Sequence, residues 1–228
     1  MRFLITAGLA LMLSAPAPAQ ELEAARDRQD RAAIEKKIAE LAVRAVRQPN
    51  HADAHHALAV AQSYLAEVAL ELRDKNLAKN AAEAGIKAAE RATTLRPDSS
   101  EFQRVLGTLC GQVIPANVLS GLRYGKCAQD AVTKAIKLDP KSSMAYVSRG
   151  VGNYYLPPAL GGGPELAIKD FEKAIQLKPD NSEAYLWLGI ALRKVNRNAQ
   201  ARKALSRSVE LNPRRIWARQ QLEKTPAQ

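Results

Sequence analysis

Apolar residues recur along this chain at helical spacing, with polar residues filling the gaps. Leu166, Phe171, Ile175 and Leu177 form one stripe, and Ala201, Leu205, Val209 and Leu211 form the next. Ile34, Ile38, Leu41 and Ala45 form another nearer the start. Such spacing puts one apolar face on an α-helix, and the strict alternation of a half-buried strand is missing. Five prolines punctuate the pattern: Pro49, Pro97, Pro140, Pro179 and Pro213, at spacings of 48, 43, 39 and 34 residues. Proline has no N–H to donate and constrains the residue before it, so a helix ends at each.

Small residues keep step with this ruler although the spacing shrinks. Ten positions after the first four prolines stand Ala59, Gly107, Gly150 and Gly189. Twelve before the last four stand Gly85, Ala128, Ala167 and Ala201, and five before them Ala92, Ala135, Ala174 and Ser208. Facing small residues let two backbones approach closely, so each unit reads as a helical hairpin whose second helix stops at the proline. Only the middle of each unit changes length.

The best unit, Ser182 to Arg215, is 34 residues long and carries Tyr185, Leu188, Gly189, Leu192, Ala201, Leu205 and Pro213. That pattern resembles the tetratricopeptide repeat family. The preceding unit matches at Tyr146, Gly150, Ala167, Phe171, Ala174 and Pro179 but has Arg149 where a core leucine is usual. The resemblance implies an all-α fold, a right-handed α–α superhelix of about four hairpins, with units at 52–99, 100–142, 143–181 and 182–215. Residues 20–51 read as one further N-terminal helix, and 216–228, with Ile216, Trp217 and Leu222, as a capping helix and tail. The extra length of the first unit lengthens both its helices by about two turns. Pro115 suits the first turn of a long second helix, and Leu156 to Gly163 is a loop with Pro164 starting the next helix.

The first nineteen residues read as an address. Met1-Arg2 is a positive start, Phe3 to Leu13 an apolar run, and Ala17-Pro18-Ala19 a small-x-small cleavage pattern. A retained anchor is the competing reading, but the run is shorter than the ~20 residues a bilayer crossing needs. The expectation is an exported protein, periplasmic or secreted after cleavage near Ala19, in an oxidising compartment.

Composition narrows the function. Three His and two Cys leave few catalytic groups, and no triad or acid–base pair is evident, so an enzyme is not expected. No cofactor or metal is expected either. The formal charge of +11 is concentrated at residues 181–228, where ten bases face three acids. Export argues against nucleic acid, so the charge points to an acidic partner or an anionic membrane surface. Arg26 to Arg31 mixes both signs and reads as a solvated helix face.

A helical-repeat solenoid binds along its inner, first-helix face. Constant offsets from the prolines place there His56, Val60 and Ser63; Arg104, Thr108 and Gly111; Val147, Val151 and Tyr154; and Leu186, Ile190 and Arg193. The expected binding residues are Arg104, Thr108, Val147, Val151, Tyr154, Leu186, Ile190 and Arg193, with Tyr154 and Arg193 as anchors. Such a face suits a peptide or an amphipathic helix of a partner protein. The competing reading is that its apolar members pack against the long N-terminal helices. Some family members hold a C-terminal carboxylate with Lys, Asn and Arg; the apolar and Thr positions here do not support that. A solute-binding accessory subunit, with a cavity roofed by the long helices, and a membrane-surface adaptor using the basic C-terminal end are the alternatives.

Cys110 and Cys127 fall late in the first and early in the second helix of one hairpin, at ends that face each other. A disulfide is expected, with two buried thiols as the alternative. His51, His55 and His56 are clustered at a spacing some metals accept, but His55 stands at the unit's aromatic position, which favours packing. Gly161-Gly162-Gly163 lacks the lysine and hydroxyl of a nucleotide-binding loop and reads as a connector.

Overall fold

The computed structural model describes residues 18–116 and 118–227, so the expected cleavage signal at residues 1–17 lies outside the described residues. It contains helices α1 (Pro18–Asp27), α2 (Arg31–Arg47), α3 (Ala52–Glu71), α4 (Lys75–Leu95), α5 (Ser100–Val113) and α6 (Val118–Leu138). After these come α7 (Ser143–Tyr155), α8 (Pro164–Leu177), α9 (Ser182–Lys194), α10 (Asn198–Leu211) and α11 (Ile216–Glu223). No strand occurs among the described residues.

Local chemistry sets the helix boundaries. Asp30, Asp74, Ser99, Ser142 and Asn181 each accept, through a side-chain oxygen, the backbone N–H three residues on. That satisfies one of the otherwise unpaired donors at each start. Helices α2, α4, α8 and α10 close on Gln48, Arg96, Lys178 and Asn212, each the residue before a ruler proline. The long first unit is two long helices of 20 and 21 residues, as its length requires.

Close approach explains the small residues. A Cβ on Gly150 would lie 2.5 Å from a ring carbon of Phe171, and one on Gly189 would lie 2.4 Å from Leu205 Cγ. Ala59, Ala167 and Ala201 are fully buried. Helices pair as α3–α4, α5–α6, α7–α8 and α9–α10, and α3, α5, α7, α9 and α11 also form a continuous inner row. Arg149, at the position where the family prefers leucine, turns to the buried Asp170, which also accepts from Asn153 Nδ2 at 2.8 Å.

Two expectations are corrected. Residues 20–47 form two helices, not one: the chain breaks at Arg28–Asp30, where Gln29 takes φ 54° and Asp30 caps α2. Pro115 is not in the first turn of α6 but in a separate 3-10 turn, Ile114–Ala116, ahead of it. The 156–163 loop folds back on its own hairpin, with Gly163 N–H donating to Asn153 O at 2.8 Å, and Pro164 opens α8. Cys110 and Cys127 are joined by a disulfide between α5 and α6, with Cα atoms 6.0 Å apart.

Candidate functional site

The expected groove residues sit on the inner row, but several are committed within the chain. Arg104 pairs with Glu101 on its own helix, and Thr108 shares a hydrogen bond of 3.0 Å with Ser148. Val147 is buried, while Val151 and Tyr154 are partly covered. Leu186 and Ile190 are only 0% and 5% exposed, because α11 lies over them with Ala218, Trp217 and Leu222. These two side chains are core, though the covering element is the C-terminal helix rather than the N-terminal ones. Arg193 is not free to anchor a ligand: its guanidinium donates to Gln221 O, Gln221 Oε1 and Thr225 Oγ1. Arg202 donates to Thr225 O, so two bases complement the carbonyl end of α11.

The remaining inner-face residues near the start also have neighbours. His56 stacks on Phe102 at 4.4 Å between centroids, and burial holds its imidazole below the usual pKa. His55 Nε2 lies 3.0 Å from Pro49 O, and Ser63 Oγ donates to Gln112. Val60 packs on the N-terminal core, and Gly111 faces open space.

A buried ionic cluster joins the two ends of the solenoid, and the sequence reading missed it. The Arg215 guanidinium donates to Glu67 Oε1 at 2.6 Å and Glu183 Oε1 at 3.0 Å, and also to Glu71. Arg26 lies 2.6 Å from Asp27 and 3.2 Å from Glu183, with its guanidinium 5.0 Å from the Tyr64 ring centroid. Asn212 Nδ2 donates to Asp27 Oδ2 at 2.7 Å. Helices α1, α3 and α9 and the α10–α11 turn are thereby tied together. The extra length of α3 is what carries Glu67 and Glu71 to this point. Arg26 and Asp27, expected on a solvated face, are buried, and Arg215, counted with the basic end, is fully buried.

Four carboxylates here face two guanidiniums. Burial pushes Glu67 up to about 7, against the pull of Arg215 and Arg26. Burial likewise raises Glu71. For Glu183 burial works upward too, but the attraction of Arg215 and Arg26 outweighs it and the carboxyl titrates low. A cavity of about 220 Å³ lies between α1 and α2, lined by Leu22, Ala25, Ala33 and Lys37 among others.

What stays available on the inner row is aromatic. Tyr154 and Tyr155 meet edge to face at 5.0 Å, and both reach Trp187, at 6.0 and 6.2 Å. Trp187 continues to Trp217 at 5.2 Å and to Phe171 beneath at 6.4 Å. Five of the chain's eleven aromatic residues are thus in one strip across α7, α8, α9 and α11. Tyr155 is 58% exposed, Tyr154, Trp187 and Trp217 are half-buried, and Lys194 Nζ lies 5.3 Å from the Tyr154 ring centroid. Of these, only Tyr154 was expected as a binding residue, while Phe171 was expected as a repeat position and Trp217 in the capping helix; Trp187, next to the inner position Leu186, was the available signal for the strip.

Residues 162–222 match the family model described as tetratricopeptide repeat. No curated protein matches the sequence. Among solved structures, the chain is similar to TTC0263, a thermophilic TPR protein of Thermus thermophilus. The two share 17% identity with a TM-score of 0.63, over 91% of this chain and 98% of that one. It is less similar to YrrB, described as a TPR protein with an unusual peptide-binding site (16% identity, TM-score 0.42, 91% and 98% covered). Residues 41–end of MamA from Desulfovibrio magneticus RS-1 also match (16%, 0.46, 89% and 99%). The first of these likenesses shows the fold.

Proposed function

We propose that this chain, a tetratricopeptide-repeat protein by its C-terminal hairpins and its fold, is an exported scaffold that captures a peptide or helix of a partner protein. The observation that carries this reading is the half-exposed strip of Tyr154, Tyr155, Trp187 and Trp217 on the inner row. Large, stiff aromatic side chains give much contact area for little lost rotamer freedom, and such groups dominate binding energetics. Val151 extends the strip on α7, and Lys194 beside Tyr154 suits an acidic group on the partner. The reading involves no catalysis and no cofactor.

Export is supported by the leader-like pattern at residues 1–19 and by the Cys110–Cys127 disulfide, a bond that persists in oxidising compartments. The alternative of a solute-binding accessory subunit is less well supported, since Glu67 and Glu71 on the long α3 are already paired with the buried Arg215.

Photo-crosslinking in the native cell tests the reading. A photoreactive residue at Val151 or Tyr155 should capture one defined protein, and the same residue at Leu138 on α6 should not. Equal capture from both faces, or capture that survives Trp187→Ala, would count against the strip.

A further inference from the structure

An antiparallel hairpin solenoid has two edges. The proline connections make one, and the α3–α4, α5–α6, α7–α8 and α9–α10 turns make the other. Nine large apolar side chains are exposed among the described residues. Six of them, Leu72, Leu119, Leu122, Tyr155, Leu160 and Leu166, stand at three successive turns of the second edge. Leu122 is 85% exposed and Leu160 69%. Tyr155 stands where this edge meets the aromatic strip; the five leucines belong to the edge alone.

Charge follows the same division. At these three turns (72–75, 114–126 and 155–169) Arg73, Lys75, Arg123, Lys126 and Lys169 stand against Asp74 and Glu165. Asp74 is occupied capping α4, Glu165 pairs with Arg197 of the neighbouring turn, and Lys126 pairs with Asp130. The first four proline connections (47–53, 96–101, 139–141 and 178–183) carry four bases and six acids; the fifth carries Arg214 and the buried Arg215.

We propose that the turn edge docks on an anionic bilayer surface, with Leu119, Leu122 and Leu160 entering the headgroup region and Arg73, Arg123 and Lys169 facing lipid phosphates. Helices pack about 8–10 Å apart, so the leucine tips of successive hairpins are spread along a line rather than gathered at one point. A protein interface concentrates its energy in one desolvated cluster, whereas a bilayer accepts each tip separately. Bases beside the tips add attraction to anionic lipid. No helix among the described residues is long and apolar enough to cross a membrane, so the contact is peripheral. This surface differs from the basic C-terminal end, one of the alternatives read from the sequence, where Arg193, Arg202 and Arg215 turn inward.

The test uses the chain from Gln20 onward, which keeps every hairpin and removes the apolar 3–13 run. It is sedimented at low salt with vesicles of equal parts phosphatidylcholine and phosphatidylglycerol, or of phosphatidylcholine alone. Binding is expected on the mixed vesicles only. Leu119→Ser, Leu122→Ser and Leu160→Ser together should lower the bound fraction about tenfold, while Lys203→Ser with Lys224→Ser should leave it unchanged. If the triple variant melts early, Leu122→Ser alone gives the reading. Failure to sediment with either vesicle overturns the proposal, as does binding that ignores the leucines. Self-association of the parent that the triple variant abolishes would also overturn it, by assigning the edge to a second copy.

Discussion

Replacing Arg215 by methionine removes the side chain that engages the most carboxylates where the two ends of the solenoid meet. Its guanidinium is fully buried and engages Glu67, Glu71 and Glu183, with Asp27 Oδ1 3.8 Å away. Methionine keeps most of the volume, so the loss is electrostatic: buried carboxylates are left without their partner. Breaking a buried ion pair from one side costs about 3–5 kcal/mol. For a domain of this size each kcal/mol moves Tm by about 2–4 °C, so the expected drop is roughly 6–20 °C. Circular dichroism melts at neutral pH would measure it. Adding Glu67→Gln and Glu71→Gln to the same variant leaves only Asp27 and Glu183 beside Arg26 and should restore part of the loss, because fewer buried carboxylates are left without a partner. A single Arg215→Met variant melting within about 1 °C of the parent would mean that the cluster does not hold the two ends together.

Further expectations rest on the same geometry. Glu67 binds its proton more tightly folded (about 7) than unfolded (4.5), so its contribution falls as pH rises between those values and is level above them. Urea melts of the parent and Glu67→Gln across that window should differ in slope in that direction, by at most about 1.4 kcal/mol per pH unit; a parent that gains stability relative to the variant would reverse the sign. Gly189→Ala drives a methyl against Leu205 Cγ and should destabilise by about 1–3 kcal/mol. Gly152→Ala meets nothing within 4 Å and should stabilise by about 0.5–1 kcal/mol, both read from denaturant midpoints. Reducing the Cys110–Cys127 bond, 17 residues apart in sequence, should cost about 3 kcal/mol in the chain-entropy model, seen as a lower Tm with reductant.

Much of the hairpin layout was legible because its causes are local. A proline stops a helix wherever it stands, and a glycine opposite Phe171 or Leu205 is needed wherever two backbones close up. The break at Gln29 was not legible, because a non-glycine residue with positive φ leaves no mark in composition. Nor was the ionic cluster: Arg215 and Glu71 are 144 residues apart, and only the curvature of the whole solenoid brings them together. For the candidate groove, fixed offsets placed the named residues on one helix row, α3, α5, α7 and α9. They did not show that α11 covers Leu186 and Ile190, or that Arg193 turns to the carbonyls of α11, because both depend on a helix that lies beyond the last repeat and outside its pattern.

A partner bound along the inner row should cover the aromatic strip of Tyr154, Tyr155, Trp187 and Trp217. Hydrogen exchange of the chain with and without the protein captured from Tyr155 tests it most directly. Exchange should slow only at 147–155, 183–194 and 216–222, with α2, α4 and α10 unchanged and the effect lost in Trp187→Ala. Protection confined to the outer helices, or unchanged by Trp187→Ala, would contradict it.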